Sequence, residues 1–330
     1  MSNLANPTST EAPKKPVFMD FAAKDGEYKR KASSFRDQIS RKAGAKFAPE
    51  KGRYHLYVSF ACPWAHRTLI TRKLKGLEDI IYVSVVDWFF DNNGWRFDPE
   101  GKIPGSTKDD LYNVKYLGDL YRKAEPGYEG RFTVPVLWDK KTETIVNNES
   151  SEIIRMLFTE FDDIIDEKYR GINYYPENLR SQIDEINGWI YDDINNGVYK
   201  TGFATKQEVY EDHVTILFKS LDRIETILKN SDGPYSLGKE FTEADLRLYP
   251  TIVRFDPVYV QHFKCNIGMI RHDFPHIHKW LRHLYWDIPA FKDTTNFEHI
   301  KNHYSKTHVK YNPFGITPLG PVPHIYPKEK

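Results

Sequence analysis

The segment Tyr54–Trp64, Tyr-His-Leu-Tyr-Val-Ser-Phe-Ala-Cys-Pro-Trp, limits what this chain can fold into more than any other. Tyr54 to Ser59 is rich in aromatic and β-branched residues and reads as a short strand. Phe60 and Ala61 turn the chain, and Trp64–Leu74 reads as an amphipathic helix that Pro63 opens. Proline suits the first helical position because that N–H has no intrahelical partner and φ is already set. Cys62 therefore falls at a helix N-terminus. Unpaired N–H groups and the positive end of the helix dipole favour an anion there. A thiol so placed is expected to ionise below its ordinary value of about 8.5, in a range of roughly 3.5–7.5. A lone cysteine would read as core. Strand, turn, Cys-Pro and helix in succession favour a reactive thiol instead.

A dithiol oxidoreductase places a resolving cysteine three residues on. Ala65 stands at that position, and the only other cysteine is Cys265. A mixed disulfide on Cys62 must then be opened by an external thiol, which in the cytosol is glutathione. Two distant cysteines make no disulfide framework and suit a reducing compartment, so a cytoplasmic location is expected. The 47 basic and 46 acidic residues give no global field to draw nucleic acid or an anionic membrane. No apolar run approaches the length of a membrane span. Met1–Lys15 is polar and lacks the apolar core of a signal peptide. His272, His276, His278 and His283 have the spacing of no standard metal site, so no metal is expected.

Along the chain, residues 1–50 read as a leader and an extended arm, with Phe18, Phe21, Phe35 and Phe47 as anchors. Gly76 ends the first helix, and Ile80–Val86 is a buried strand, which completes a β-α-β unit. Trp88–Arg131 is a loop-rich insertion with a helix over Leu111–Lys123, long enough to suggest function. Thr133–Trp138 resumes as a strand, with Pro135 a candidate cis residue. Thr144–Asn147 returns, and Glu149 opens a helix to Phe161. That N-terminus can hold a small anion or can simply be capped. Asp162–Arg170 reads as a solvated acidic linker. Helical stretches follow at Asn178–Asn196, Gln207–Lys229, Thr242–Val253, Pro275–Tyr285 and Phe297–His303. Thr242 and Asp245 form a capping box. Residues 309–330 carry five prolines and read as an extended tail. The expected architecture is an α/β domain of thioredoxin-like order over residues 51–162, then an all-helical domain over 163–308.

A thioredoxin-like domain followed by an all-helical one resembles a glutathione transferase. Several segments narrow the resemblance. They are Cys62-Pro63-Trp64-Ala65-His66-Arg67, Gly94-Trp95-Arg96-Phe97-Asp98, Arg131 to Asp139 and Asn147-Asn148-Glu149-Ser150-Ser151-Glu152. Asn195 to Lys200, Arg254 to Tyr259 and Asn302-His303-Tyr304 follow in order. Over about residues 18–320 the chain resembles the glutathionyl-hydroquinone reductases, the Xi class of glutathione transferases. The resemblance implies glutathione as co-substrate, glutathionyl-hydroquinones as substrates and a homodimer. It implies Cys62 as nucleophile, Tyr199 as proton donor or acceptor, and Tyr259 and Tyr304 tuning the thiol. It places glutathione on Trp95, Arg131, Phe132, Thr133, Val134, Glu149 and Ser150. The rival activities are an Omega-like thioltransferase or dehydroascorbate reductase, which shares the single thiol, and a non-catalytic ligand binder.

Overall fold

The computed structural model describes residues 22–328. Its sheet has four strands: β1 (Tyr54–Val58), β2 (Tyr82–Val85), β5 (Val136–Asp139) and β6 (Thr144–Asn147), in the order β2-β1-β5-β6. A short pair, β3 (Phe90–Asp91) and β4 (Gly94–Trp95), stands apart in the insertion. β1 runs parallel to β2, pairing Leu56 with Val83, and antiparallel to β5, pairing Leu56 with Leu137. Every residue of β1 is buried, as the continuous apolar and aromatic run requires of a central strand. β2 is shorter than the expected Ile80–Val86, because Ile80 and Ile81 already serve the turn that bonds back to Leu77.

Helix α1 (Pro63–Leu74) crosses from β1 to β2, and Gly76 follows it at φ 60°. A side chain at Gly76 would also strike the Tyr169 ring, its Cβ only 2.1 Å away. The helix is not amphipathic in use. Pro63 to Thr71 are buried throughout, because the sheet domain lies on one side and the helical domain on the other. Its buried threonines, His66 and the Arg67 guanidinium ends find partners, while Arg67 Nε has none among the described residues. Thr68 and Thr71 hydroxyls donate to the carbonyls of Ala65 and Arg67, at 2.7 and 2.9 Å. His66 Nε2 meets Thr294 Oγ1 at 3.0 Å, and Arg67 donates to Asn195 Oδ1 at 2.8 Å.

The insertion holds α2 (Leu117–Ala124), shorter than the expected Leu111–Lys123. Buried Asp109 shortens it by organising the preceding loop. Its carboxylate accepts from Tyr57 Oη and from the N–H groups of Leu111, Tyr112 and Val114. α3 (Ser150–Thr159) closes the domain. The segment after it is a solvated face over Asp163, Asp166, Glu167, Lys168 and Arg170, but it is pinned to the core at two points. Asp162 is buried and accepts from Lys75 Nζ at 3.0 Å, and Ile165 is core.

The helical region opens with α4 (Arg180–Trp189) and α5 (Gly197–Phe203), joined by a π-helical turn over Ile190–Asn195. α6 (Gln207–Asn230) and α7 (Glu243–Arg254) follow, and a second π turn over Phe255–Tyr259 leads into α8 (Val260–His262). α9 (Ile270–Asp273), α10 (Pro275–Asp287), α11 (Pro289–Thr294) and α12 (Phe297–Thr307) complete it. α1 and α3 serve two hydrophobic cores. Ala65, Leu69, Ile153 and Leu157 face the sheet core, while Ile70, Ile154 and Phe158 face the helical one. Phe47 anchors the arm in the sheet core, and Phe35 packs against that core half-buried. Phe18 and Phe21 lie outside the described residues. Residues 309–328 run without helix, tied down by Lys301 Nζ on Leu319 O at 2.7 Å and by buried Ile325. Among the described residues no helix is long and apolar enough to cross a membrane.

Candidate active site

Cys62 is the residue immediately before α1, with extended backbone at φ −77° and ψ 121°. Its thiol donates to Val134 O at 3.5 Å, across the cis Val134–Pro135 bond. Arg254, fully buried at the end of α7, holds the loop from beneath. It donates to Phe60 O at 3.0 Å, Ala61 O at 3.1 Å and Pro250 O at 2.8 Å, and meets His66 Nδ1 at 3.0 Å. Burial pushes the Cys62 thiol up from its ordinary value. The N–H groups of Ala65 and Trp64 and the guanidinium groups of Arg254 and Arg30 pull it down, but by less. The depressed thiol expected from the helix N-terminus is therefore corrected. Desolvation outweighs the helix terminus there.

Cys62 opens into a cavity of about 140 Å³ walled by Tyr28, Trp95, Tyr199, Phe203, His303 and Tyr304, among others. The wall is largely aromatic, which suits a flat ring. Tyr199 Oη lies 2.7 Å from Tyr304 Oη, and Tyr304 Oη lies 3.2 Å from Tyr259 Oη. Tyr259 is fully buried, and Tyr304 is the partner of its hydroxyl. A buried hydroxyl proton must be used. The three hydroxyls form one hydrogen-bonded cluster in which either member of each pair can donate, and Tyr199 and Tyr304 carry it to the cavity wall. Burial pushes all three phenols up, Tyr199 and Tyr259 well above the ordinary value, so they stay protonated donors.

A second region adjoins the thiol at the start of α3. Glu149 caps that helix, accepting from Ser151 N at 3.2 Å, and Ser33 Oγ of the arm donates to its other oxygen at 3.0 Å. Burial raises the Glu149 carboxyl, but the Ser151 N–H, Arg30 and Ser33 together hold it below the ordinary carboxylate range. Ser150 Oγ accepts from Arg67 Nη1 at 3.4 Å. Arg30 stacks on Trp64, its guanidinium carbon 4.1 Å from the ring centroid, and Arg67 lies 4.6 Å from the same ring. Buried acceptors, an anionic carboxylate and two cations can take an ion that carries both an ammonium and a carboxylate.

Residues 61–160 match the glutathione S-transferase N-terminal domain family, and residues 207–283 match the C-terminal domain family. "Glutathione S-transferase omega-like 2" of Schizosaccharomyces pombe is 60% identical over 307 residues, covering 93% of this chain and 97% of that protein. The glutathione-S-transferase Xi of Phanerochaete chrysosporium is 56% identical and superposes with a TM-score of 0.90, over 93% of this chain and 97% of that one. The chain belongs to the Xi-class, Omega-like glutathione S-transferases. "Glutathionyl-hydroquinone reductase YqjG" of Escherichia coli is 51% identical over 311 residues, covering 92% of each chain. The glutathione-bound structure of YqjG superposes with a TM-score of 0.83, over 89% of this chain and 95% of that one.

In this Xi-class transferase the sequence-predicted residues fall into two groups. Cys62, Trp95, Tyr199 and Tyr304 share one cavity, with Tyr259 directly behind it. Glu149 and Ser150 share the start of α3, and the Val134 carbonyl lies against the Cys62 thiol. Thr133 is held by Tyr121, whose hydroxyl donates to Thr133 O at 2.8 Å. The Phe132 ring packs in the sheet core, 5.0 Å from the Arg122 guanidinium carbon, so only its main chain is available to a ligand. Arg131 is half-buried, its carbonyl accepting from Tyr128 Oη at 3.3 Å. Tyr199 sits on α5 rather than on a turn. Arg30, Ser33, Arg254 and His303 were not singled out as site residues. Arg30 and Ser33 stand in an arm with no periodic pattern. His303 had a signal, since it adjoins Tyr304. His276 and His283 pair with Glu225 and Asp287, each at 2.6 Å, and among the described residues no three metal-ligating side chains gather.

Proposed function

We propose that this protein reduces glutathionyl-hydroquinones to hydroquinones, consuming a second glutathione and releasing glutathione disulfide. One observation carries the reading: a single thiol without a resolving cysteine opens on the same aromatic cavity as a chain of three tyrosine hydroxyls. A thioltransferase needs only the thiol. The substrate's leaving atom is a ring carbon, which needs a proton as well.

The steps follow from that need. Glutathione lies along Trp95 and the main chain of Arg131 to Val134. Its γ-glutamyl end meets Glu149 and Ser150, and Arg131 meets its glycyl carboxylate. Tyr199 gives its proton to the ring carbon that bears sulfur, while a ring hydroxyl releases its own to solvent, from which it is later recovered, and a keto form results. The Cys62 thiol, its pKa raised by burial, releases its proton to solvent and attacks the glutathionyl sulfur as the thiolate. The carbon–sulfur bond breaks, its electron pair restores the aromatic ring, and the phenolate oxygen recovers a proton. The thiol proton of the incoming second glutathione returns to Tyr199. The resulting thiolate attacks the glutathionyl sulfur of the mixed disulfide and frees Cys62. The sum is thioether plus glutathione to hydroquinone plus glutathione disulfide. The reading includes a cytoplasmic homodimer, the location suited by two cysteines that form no disulfide and the dimer implied by the family resemblance alone.

The deciding experiment compares two substrates in wild type and Tyr199→Phe. General acid help is worth about 10²–10⁴-fold. The variant should lose that much on glutathionyl-menadiol and far less on a glutathione mixed disulfide, whose thiolate leaves unaided. Dehydroascorbate turnover exceeding glutathionyl-menadiol turnover in wild type would replace this reading with the Omega-like one.

A further inference from the structure

His303 lies on α12 beside Tyr304, and its ring forms part of the wall of the Cys62 cavity. It stacks on Trp95, with ring centroids 4.9 Å apart and planes 24° from parallel. Its Nδ1 lies 2.8 Å from Trp88 O. A carbonyl oxygen can only accept, so the proton of the imidazole is on Nδ1. Burial lowers the pKa of the ring to about 4. The imidazole is thus neutral near pH 7, and Nε2 carries a lone pair. Nε2 has no hydrogen-bond partner among the described residues, and the ring lines the cavity.

The cavity therefore offers two unlike polar groups. Tyr199 places a hydroxyl on its wall, and His303 an imidazole whose Nδ1 is already bonded to Trp88 O. Its remaining wall is largely aromatic and carries Cys62. A ring ether or quinone carbonyl can satisfy the Tyr199 hydroxyl but not Nε2. A phenolic hydroxyl can satisfy either.

We propose that His303 is a specificity-determining residue of this site, whose Nε2 accepts a hydrogen bond from a free ring hydroxyl and so selects hydroquinones over quinones and aryl ethers. This rests on the proposed reaction for its biological meaning, but not for its geometry. The bond orients the ring across the Tyr199 hydroxyl and polarises the hydroxyl that must lose its proton.

The test is binding without turnover, using the full chain loaded with glutathione. Wild type should bind hydroquinone about tenfold more tightly than 1,4-dimethoxybenzene, the value of roughly one hydrogen bond. His303→Phe keeps a ring against Trp95 and should bring that ratio close to one. His303→Gln, which retains an acceptor, should recover part of it and serves if the Phe variant does not fold. In wild type, the ¹⁵N spectrum of His303 should show a neutral Nδ1–H tautomer, with the Nε2 resonance moving upfield when hydroquinone binds. An Nε2–H tautomer, an unmoved Nε2 resonance, or an unchanged ratio in both variants would overturn the proposal. Glutathionyl-hydroquinone turnover with no Nε2 response overturns the role of His303 alone. An Nε2 response without turnover overturns the reaction alone.

Discussion

At Cys62 two opposed influences meet, and their balance decides how the thiol behaves. The helix terminus and two guanidinium groups favour the thiolate, while the aromatic walls favour the thiol. The sequence showed the first through Cys-Pro and a helix. It could not show the second, because the walls come from residues as distant as Tyr28 and Tyr304. With the folded value raised, the thiol is protonated at low pH and ionises as pH climbs past the ordinary thiol range. Iodoacetamide should therefore label Cys62 slowly at pH 6 and increasingly fast toward alkaline pH, with peptide mapping to separate it from buried Cys265. Fast labelling at pH 6 would mean that the free protein opens this pocket to water. Cys62→Ser should abolish reduction of glutathionyl-menadiol while leaving glutathione binding measurable by calorimetry, since a hydroxyl at neutral pH is a weak nucleophile. Tyr259 offers a subtler check. Its hydroxyl bonds to Tyr304 from behind the cavity. Tyr259→Phe removes that hydroxyl and leaves Tyr199 and Tyr304 bonded to each other without its support. Turnover should fall roughly tenfold, one hydrogen bond's worth, with little change in KM.

Elements were legible where a periodic pattern or a cap marked them. α6 and α7 follow their apolar spacing, and the Thr242–Asp245 box starts α7 as the sequence indicates. The π turns over Ile190–Asn195 and Phe255–Tyr259 were not legible, because their extra residue per turn leaves no mark in composition. Both have consequences. One ends at Asn195, which binds Arg67 and Thr251, and the other ends at Tyr259. The cap at α7 reaches further than a helix start. Asp245 is buried and accepts from Ser236 N and from Trp280 Nε1, each at 2.9 Å, so it joins α7 to α10. Asp245→Ala would strand those two donors, at about 2–4 kcal/mol for the pair. The urea midpoint should drop accordingly. A drop no larger than the ~1 kcal/mol of an ordinary capping loss would mean that water enters and replaces the carboxylate.

Across the whole molecule, the active site exists only where two cores and an arm meet. The sequence separates an α/β half from a helical half, and it places Cys62 in the first and the tyrosines in the second. It does not show what clamps them together, because the clamp is made of side chains that look like surface residues. His66, Arg67 and Arg254 are all buried at that junction. Arg254 is the strongest link. It lies at the end of α7, yet two of its bonds hold the carbonyls of Phe60 and Ala61, directly ahead of Cys62. Its charge also favours the Cys62 thiolate. Arg254→Met fills similar space but removes every donor. The carbonyls of Phe60 and Ala61 and His66 Nδ1 are then left without it, at a combined cost of about 3 kcal/mol or more. The loss should show in the urea midpoint. Destabilisation alone would make Cys62 easier to reach, so its alkylation would quicken. Loss of the charge does the opposite, because the thiol ionises less. Below the unfolding transition, labelling of Arg254→Met at a fixed pH near neutrality should therefore be slower than in wild type, with the rise in rate moved to higher pH. Faster labelling with an unmoved pH profile would leave Arg254 as a clamp and remove it from the electrostatics of the thiol.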